Sequence, residues 1–428
     1  TMPTAAERQG DFRESRGLNG NLIRVNDPAN NRLPFPDNIV PASRIHPVTQ
    51  KYLNLLPLPN FTDIGISARR FNYQVQESLE IPKHTQTLRA DWNASQNTSV
   101  YFRFNNWWEN IQGFAVPGGN ANWGWLPNTY KNTSKTAVLS GTHIVSPSML
   151  VEASMGVNRA TEAGSARDQA DVGRLNRVKS GVTLPQFHPE NNPLNLVPQA
   201  TFGGVTGAAS TTYEPRFPLR GTDTLFTWNA NLTWTLSPHT FKFGFWAERA
   251  RNFEGEDGNF AGKYDFNRDA NNPNNANHPY AQALLGLFRS YTESTRRPWE
   301  QGRSTVVEWF AQDNWKASRR LMIDLGVRFA WSQPYHSYRR EEAGFAPDRY
   351  DPARAVVLIQ PYLQGSRRVG RDPVTGAFYP NVAVGAMVPG AGDPFNGMID
   401  TGAEPSFPAG LRTDSRGVTP RFGFAYDP

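Results

Sequence analysis

The chain has 428 residues, of which 38% are hydrophobic and 12% aromatic, so aromatic rings form an unusually large share of its apolar side chains. Its formal net charge is +6, with Lys and Arg interspersed among Asp and Glu, which argues against the clustered basic surface of a nucleic-acid-binding protein. It has no cysteine, and its seven histidines show no metal-binding spacing, so we expect no disulfide, metal centre or cofactor. The absence of a long apolar run excludes a membrane-spanning helix.

Residues 1–83 are rich in proline and show no sustained period-two pattern. The prolines are irregularly spaced and are interrupted by Ile39, Tyr52 and Leu53, which disfavours a polyproline II recognition segment. The sequence instead predicts a structured loop region with one short helix near residues 48–56.

Residues 84–428 show repeated alternation of apolar and polar side chains. Strict alternation is typical of strands in a sheet with one apolar and one wet face. It predicts hairpins at about 84–108, 133–160, 222–252 and 303–331, followed by a single strand at 419–428. Two strands are ambiguous: in 133–145 either face could be apolar, and in 303–316 the apolar phase includes Asp313. Asp313 is tolerable there because a charge costs little near a membrane interface.

The connections between these strands alternate in length. Short links suited to tight turns occur at 94–97, 146–147, 237–238 and 316–318. Long polar links occupy about 109–132, 160–221, 254–302 and 332–417. Strands of about ten residues with short turns at one end and long loops at the other are typical of outer-membrane barrels. The predicted fold is therefore an all-β, antiparallel transmembrane β-barrel with short periplasmic turns and long extracellular loops.

A barrel assigns its strand residues to two environments. The apolar set predicted to face lipid is Phe241, Phe243, Phe245, Trp228, Leu232, Trp234, Leu325, Val327 and Phe329. The charged set predicted to face the lumen is Arg89, Asp91, Arg103, Glu152, Lys242, Glu248, Glu308, Asp324 and Arg328. Charges are costly against lipid, so the second set pairs across strands and seats a plug, or alternatively lines a solute path.

Several segments resemble the TonB-dependent outer-membrane receptors of the Oar-like type that are abundant in acidobacteria. The most specific are "TAAERQGDF" at 4–12 and "PFPDNIVPASRIHPVTQKYLNLLPLPN" at 34–60. Others are "HTFKFGFWAERARN", "FAQDNWKASRRLMIDLGVRFAW", "ANHPYAQALLGL" and "TPRFGFAYDP". The resemblance covers essentially the whole chain and implies residence in the bacterial outer membrane.

The family pattern also implies parts that residues 1–428 do not contain. Such receptors carry a signal peptide, a carboxypeptidase-regulatory-like domain, a plug that contacts TonB, and a barrel of about 22 strands. We therefore expect an internal barrel fragment of about eight complete strands. Its expected partners are outer-membrane lipid, its own plug, TonB and an unknown solute, with no nucleic acid.

The resemblance predicts a receptor or transporter that binds a bulky glycan, peptide or chelate at its outer loops for energy-coupled uptake. Loop aromatic rings are the candidate contacts, because they can stack on a ring system. These are Trp123, Trp125, Tyr213, Tyr264 and Trp299. No nucleophile elbow, phosphate loop or carboxylate pair with suitable flanks occurs, so we do not expect an enzyme. The alternatives are a surface protein for adhesion or protein export without solute transport, and a soluble all-β protein.

Overall fold

One antiparallel sheet of nine long strands, each hydrogen-bonded to its neighbours in chain order, dominates the computed structural model, which describes residues 1–113, 123–255, 257–365 and 367–427. The strands are β1 (Lys83–Ser95), β2 (Thr98–Gly113), β3 (Asn128–Ser146), β4 (Met149–Ala166), β5 (Leu219–Leu236), β6 (His239–Gly255), β7 (Gly302–Trp315), β8 (Leu321–Ser337) and β9 (Ser415–Tyr426). A short segment, Trp299–Glu300, pairs with the end of β6. Strands β1 and β9 form the two edges, so the described sheet is open.

Short and long connections alternate along the sheet as the sequence predicts. Two residues separate the strands of the first three hairpins, and residues 316–320 connect β7 to β8. At the other end the strands continue well past their predicted limits; β2, for example, extends to Gly113 and β3 begins at Asn128. Both faces become polar there, so the alternation disappears although the hydrogen-bonded ladder continues.

The register divides the side chains into two uniform faces. Directly paired residues of antiparallel strands share a face, so a row of partners traces one face across the whole sheet. One row reads Trp92, Val100, Gly141, Ala153, Ala230, Phe245, Trp309, Phe329 and Val418. The adjoining row reads Asp91, Tyr101, Ser140, Ser154, Asn229, Trp246, Glu308, Ala330 and Gly417. We call the first the apolar face and the second the wet face.

The register also settles the two ambiguous strands. Leu139 of β3 pairs with Phe102 and Met155, which places the odd-numbered residues of β3 on the apolar face. Asp313 pairs with Phe241 and Leu325, so its predicted place on the apolar face is confirmed. The His239 ring nitrogen lies 2.7 Å from the Asp313 carboxylate, next to the short turns, and gives that carboxylate a hydrogen-bonding partner.

The apolar face of the sheet is not covered by a second layer in the described part of the chain. Leu88, Trp92, Met155, Phe245 and Trp309 remain between 43% and 67% exposed. A soluble monomer rarely tolerates a continuous apolar surface of this extent, whereas lipid removes its cost. Among the described residues, no helix has the length and apolarity needed to cross a bilayer.

The helices and the remaining short strands lie in the segment before β1 and in the long connections. The helices are α1 (Pro47–Asn54), α2 (Ile64–Ser67), α3 (Gln169–Arg174), α4 (Arg177–Ser180) and α5 (Pro279–Leu284). The short strands group as Asn26–Asp27 with Leu33–Pro34, Gln199–Thr201 with Lys263–Asp265 and Ser290–Thr292, Ala343–Phe345 with Met398–Asp400, and Gln360–Gln364 with Arg367–Arg371 and Phe378–Tyr379. Single 3₁₀ turns occur at Glu7–Gln9, Pro36–Asn38, Ala42–Arg44, Pro189–Asn191, Pro347–Arg349, Pro352–Arg354, Asn381–Ala383 and Ala409–Leu411.

The main hydrophobic core lies in the loops and not against the sheet. It joins the N-terminal segment to residues 123–126, 166–219 and 261–284, and we call this assembly the loop body. Tyr52, on the buried side of α1, donates from its hydroxyl to the Pro198 carbonyl at 2.7 Å. The Tyr280 hydroxyl of α5 donates to the Thr1 carbonyl at 2.6 Å. The N-terminal segment as far as Tyr73 is therefore packed in one unit with the β4–β5 and β6–β7 loops.

Placing one arginine on either face of β5 tests the assignment of the two faces. Ala230 lies mid-strand on the apolar face between Ala153 and Phe245, while Asn231 lies on the wet face beside Glu152. In the intact protein, Ala230→Arg is expected to destabilise the membrane-inserted fold by about 2–4 kcal/mol, because arginine near the bilayer midplane meets lipid. Asn231→Arg is the matched control and is expected to cost less than about 1 kcal/mol, because its charge meets water and Glu152.

The readout is the amount of folded, heat-modifiable protein recovered from outer membranes, together with its urea midpoint in vesicles. Equal losses for both variants would contradict the assignment of the faces.

Candidate functional site

A polar cleft of about 580 Å³ lies between two of the long loops. One loop connects β4 to β5 and the other connects β6 to β7. A small sheet holds the loops in register, since Gln199–Thr201 pairs in parallel with Lys263–Asp265, and Lys263 lies directly opposite Gln199. The volume is within the range of small-molecule sites.

The wall formed by residues 211–216 is fixed by hydrogen bonds to that small sheet. The Thr211 amide donates to the Ala200 carbonyl at 3.0 Å, and the Ala200 amide donates to the Thr211 hydroxyl at 2.8 Å. The Tyr213 hydroxyl donates to the Val197 carbonyl at 2.8 Å. Because Thr211 and Tyr213 are buried, these bonds are shielded from water and hold the wall rigidly.

An ion-pair network joins the cleft to the end of β6. The Arg216 guanidinium donates to the buried Glu214 carboxylate at 2.8 and 3.2 Å, and to Glu254 at 2.6 Å. The hydrogen bond to Glu214, followed by the charges of both carboxylates, raises the pKa of Arg216 above its usual range. Glu254 lies on the same face of β6 as Lys242 and Glu248, so the cleft lies at the loop end of the wet face.

The groups of the cleft outside this network are chemically mixed. They comprise two amides, one hydroxyl, one carboxylate and one ammonium, from Gln199, Asn259, Thr212, Asp257 and Lys263. No ion pair involves Lys263 or Asp257 in the part of the chain that the structure describes. Such a set suits a polar solute that both donates and accepts hydrogen bonds.

A second depression, of about 670 Å³, lies on the wet face at strands β5 to β9. The Phe310 ring lies across Gly244 of the neighbouring strand, and a Cβ at that position would collide with the ring. Beside it, Arg328 forms an ion pair with Glu308. The wet face therefore has a depression, lined by an aromatic ring and an ion pair, in addition to its other charged side chains.

The register places all nine predicted lumen charges on the wet face. Arg89 pairs with Asp91 at 2.7 Å along one strand, Arg328 pairs with Glu308, and Asp324 accepts a hydrogen bond from Asn314. The prediction of cross-strand pairing does not hold for Arg89, because residues two apart on one strand share a face and lie close enough to bond. The other four form no ion pair or side-chain hydrogen bond with the described residues: Arg103, Glu152, Lys242 and Glu248.

The nine predicted lipid-facing residues all lie on the apolar face. Phe243, for instance, pairs with Leu232 on one side, while Phe241 pairs with Trp234. Trp228 pairs with Met155 on the other neighbouring strand. Leu325, Val327 and Phe329 follow in the same phase on β8. Their contact with lipid stays a prediction.

The structure does not bring the predicted loop aromatics together at a solute site. Trp125, Tyr213 and Tyr264 are at most 8% exposed, because the loop body uses their rings as core. Burial raises the pKa of the Tyr213 phenol well above its usual value. Trp123 is partly buried against Trp125, and its indole N–H donates to the Ser210 carbonyl at 2.7 Å. Trp299 stacks on Phe253 at the end of the apolar face. Only Trp123 and Trp299 keep exposed ring surface, in separate places.

The cleft was missed from the sequence. Gln199, Asn259 and Lys263 are common loop residues, and nothing in their spacing shows that a parallel strand pair joins positions 199 and 263. A weak signal exists in "KYDF" at 263–266, which alternates polar and aromatic residues over one short strand. In the described ranges, no group of three or more His, Cys, Asp or Glu side chains is arranged to hold a metal ion.

Comparison with known proteins adds one decisive observation. The family model described as "Outer membrane beta barrel domain" matches residues 1–428, the whole chain. The chain belongs to this outer-membrane β-barrel family. Its location is the bacterial outer membrane, and its nine-stranded antiparallel sheet is a section of barrel wall. No curated protein matches the sequence.

Three solved structures show distant likeness to the chain. They are the copper transporter OprC (13% identity, 61% of this chain and 30% of that chain, TM-score 0.32), the outer membrane transporter YddB from Escherichia coli (10%, 59% and 27%, 0.32) and the ferric-catecholate import receptor Fiu from E. coli K12 (11%, 82% and 42%, 0.33). The chain spans less than half the length of each.

The loop body that supports the cleft contains a buried histidine. His278 is 2% exposed, lies between Phe12 and Tyr280, and its Nε2 atom is 3.8 Å from Glu7. Burial lowers the pKa of His278 from 6.5 to about 4; the charge of Glu7 opposes this shift and that of Arg268 adds to it. His278 is therefore neutral in the folded loop body at neutral pH.

Because His278 is buried in its neutral form, we expect acid to destabilise the folded loop body. Between pH 6.5 and about 4 the unfolded loop protonates His278 and the folded loop does not. Neutral His278 contributes to the free energy of unfolding of the loop body. This contribution is fully present above pH 6.5 and falls by up to about 3 kcal/mol as the pH approaches 4. Hydrogen exchange of residues 276–287 in the intact protein, corrected for intrinsic rates, measures this loss. His278→Gln is expected to flatten the pH dependence, and the more exposed His188→Gln to leave it unchanged. A slope that persists in His278→Gln would contradict this explanation.

Proposed function

We propose that the chain is the barrel portion of an outer-membrane TonB-dependent receptor of the Oar-like type, which binds a bulky polar solute at its outer loops for energy-coupled uptake. Membership of the outer-membrane barrel family supports the location. The observation that carries the functional part is the cleft, which is held on a packed loop body and tied through Arg216 and Glu254 to the wet face. A solute bound there is positioned at the mouth of the barrel interior.

In this proposal the wet face lines the path of the solute and contacts the plug. Four of its charges, Arg103, Glu152, Lys242 and Glu248, form no ion pair with the described residues and are available to a plug domain. In this proposal the plug and TonB lie outside residues 1–428. TonB supplies the mechanical work that moves the plug and opens the path below the cleft.

The proposal divides the chain by environment. Residues 1–83 are an outer loop region within the loop body, and residues 84–428 are the partial barrel with its loops. The apolar face, including Phe241, Phe243 and Phe245, contacts lipid. No catalysis is assigned, since the buried Glu214 of the cleft is held by Arg216 and is not free to act as an acid or base.

The solute is a glycan, peptide or chelate with several hydrogen-bonding groups. Lys263 offers the cleft a full positive charge without a carboxylate partner among the described residues, and Asp257 offers a negative one. A polar solute that satisfies both replaces water with charge-assisted hydrogen bonds, each contributing about 1.5–3 kcal/mol.

Substitution of Lys263 tests the cleft. In the intact receptor, Lys263→Ala is expected to weaken solute binding and uptake about tenfold to a hundredfold, from loss of one charge-assisted hydrogen bond. Lys179→Ala is the matched control, because Lys179 is an exposed lysine of the neighbouring β4–β5 loop and lies outside the cleft. Binding and uptake of labelled oligosaccharides, peptides and iron chelates are measured in cells with and without TonB.

Uptake that needs TonB and falls in Lys263→Ala alone supports the proposal. Uptake that persists without TonB, or equal losses in both variants, would contradict it. A loss of cell adhesion or of protein export, with no solute uptake in any strain, would establish the alternative function.

A further inference from the structure

The longest outer loop, between β8 and β9, carries a small three-stranded sheet of its own. Its strands are Gln360–Gln364, Arg367–Arg371 and Phe378–Tyr379, paired antiparallel in that order. The turn before the third strand is closed by Asp372, whose amide donates to the Ala377 carbonyl at 2.8 Å. This sheet shares no residue with the cleft.

One face of this small sheet combines exposed rings with arginines. Tyr362 pairs with Val369, and Arg371 pairs with both Gln360 and Phe378. These pairs put four side chains on the same face, which we call the platform: Tyr362, Arg367, Arg371 and Phe378. The two rings lie 5.6 Å apart and are 41% and 52% exposed, while Val369, the partner of Tyr362 on this face, is buried.

The arginines of the platform are not neutralised. The Arg371 guanidinium lies 4.9 Å from the Tyr362 ring centre, in a cation–π contact. Among the described residues, neither Arg367 nor Arg371 forms an ion pair. The nearest acid in sequence is Asp372, and its carboxylate instead accepts hydrogen bonds from the Thr375 hydroxyl and the Val374 amide. Positive charge and aromatic surface are therefore both available to a partner.

The edge of the small sheet is poorly suited to a peptide partner. The edge strand Gln360–Gln364 contains Pro361, which has no amide hydrogen to donate to an added strand. A partner is therefore expected on the platform face and not along the edge.

We propose that the platform is a docking site for an acidic polysaccharide, a chain of sugar rings that bear carboxylate or sulfate groups. The Tyr362 and Phe378 rings offer the apolar surface on which the C–H face of a sugar packs. Arg371 and Arg367 supply planar guanidinium groups that match a carboxylate or sulfate with two parallel hydrogen bonds. The spacing of the rings is comparable to the length of one sugar residue, so neighbouring sugars meet neighbouring groups.

The platform is a shallow surface built on a single loop. A lipid acyl chain needs a deep apolar groove, whereas a polymer gains affinity by contacting several shallow groups at once. Docking there holds the polymer at the cell surface and does not require TonB.

Binding of size-matched acidic and neutral oligosaccharides to the intact detergent-solubilised protein tests the proposal. Oligogalacturonate is the acidic probe and a cello-oligosaccharide of equal length is the neutral one. We expect the acidic probe to bind, and Arg371→Gln and Tyr362→Ala each to weaken it about tenfold. Tyr362→Phe is expected to bind like the unmodified protein, because the ring and not the hydroxyl makes the contact. Arg368→Gln is the matched control, since Arg368 lies on the opposite face of the same strand, and it changes binding less than about twofold.

The retained heat-dependent gel shift of each variant establishes that it is folded. Equal weakening by Arg368→Gln and Arg371→Gln would mean that net charge alone attracts the probe, and would overturn the proposal. Equal binding of acidic and neutral probes would also overturn it. So would binding of lipopolysaccharide vesicles, or of a peptide, with none of oligogalacturonate.

Discussion

The pairing register, which is regular along the middle of all nine strands, determines what each face of the sheet can contact. A slip of one residue at any ladder would move that strand's aromatic residues to the wet face and its charges to the apolar face. In the described ladders such shifts are confined to strand ends, at 93–95, 144–146 and 303–305. In mid-sheet the partners of Phe245 are Ala230 and Trp309, and those of Lys242 are Thr233 and Gln312. The division of the side chains into an apolar and a wet face, and the place of Glu254 on the wet face, follow from this register.

The chain places its apolar side chains in two different environments, one on the sheet and one in the loops. Its sheet leaves large apolar side chains uncovered, which is stable against lipid and costly in water. Its loops are surrounded by water, and they bury Phe12, Leu53 and Trp125 completely in a core of their own. Long polar loops are usually mobile, but this core and bonds such as that of Tyr52 to Pro198 give the cleft a rigid support.

The sequence was sufficient to predict the strands in the membrane region, because period-two alternation is a local signal. It predicted the apolar phase of β6 from Phe241 to Phe245, and the place of Asp313 on the apolar side of β7. It was insufficient beyond the apolar band, where both faces are polar, and in β3, where Leu139 and its neighbours allow either phase. The loop body could not be predicted from the sequence, because its contacts join residues that are far apart in the chain. The Tyr280 hydroxyl and the Thr1 carbonyl, for example, are 279 positions apart. For the same reason Trp125 and Tyr213 looked like exposed binding residues when they are core residues.

The most direct test of which face of the sheet contacts lipid is a single-cysteine scan along β6 of the intact protein in lipid bilayers. Residues 1–428 contain no cysteine, so none of them gives a background label. A spin label is placed at each position from 240 to 251, and its collisions with oxygen, which concentrates in lipid, are compared with those of a water-soluble nickel chelate. The account predicts oxygen maxima at 241, 243, 245 and 247, minima at the even positions, and loss of the oxygen maxima at Arg249 and Arg251, where the apolar band ends. Uniform accessibility along the strand, or oxygen maxima at 242, 246 and 248, would contradict it.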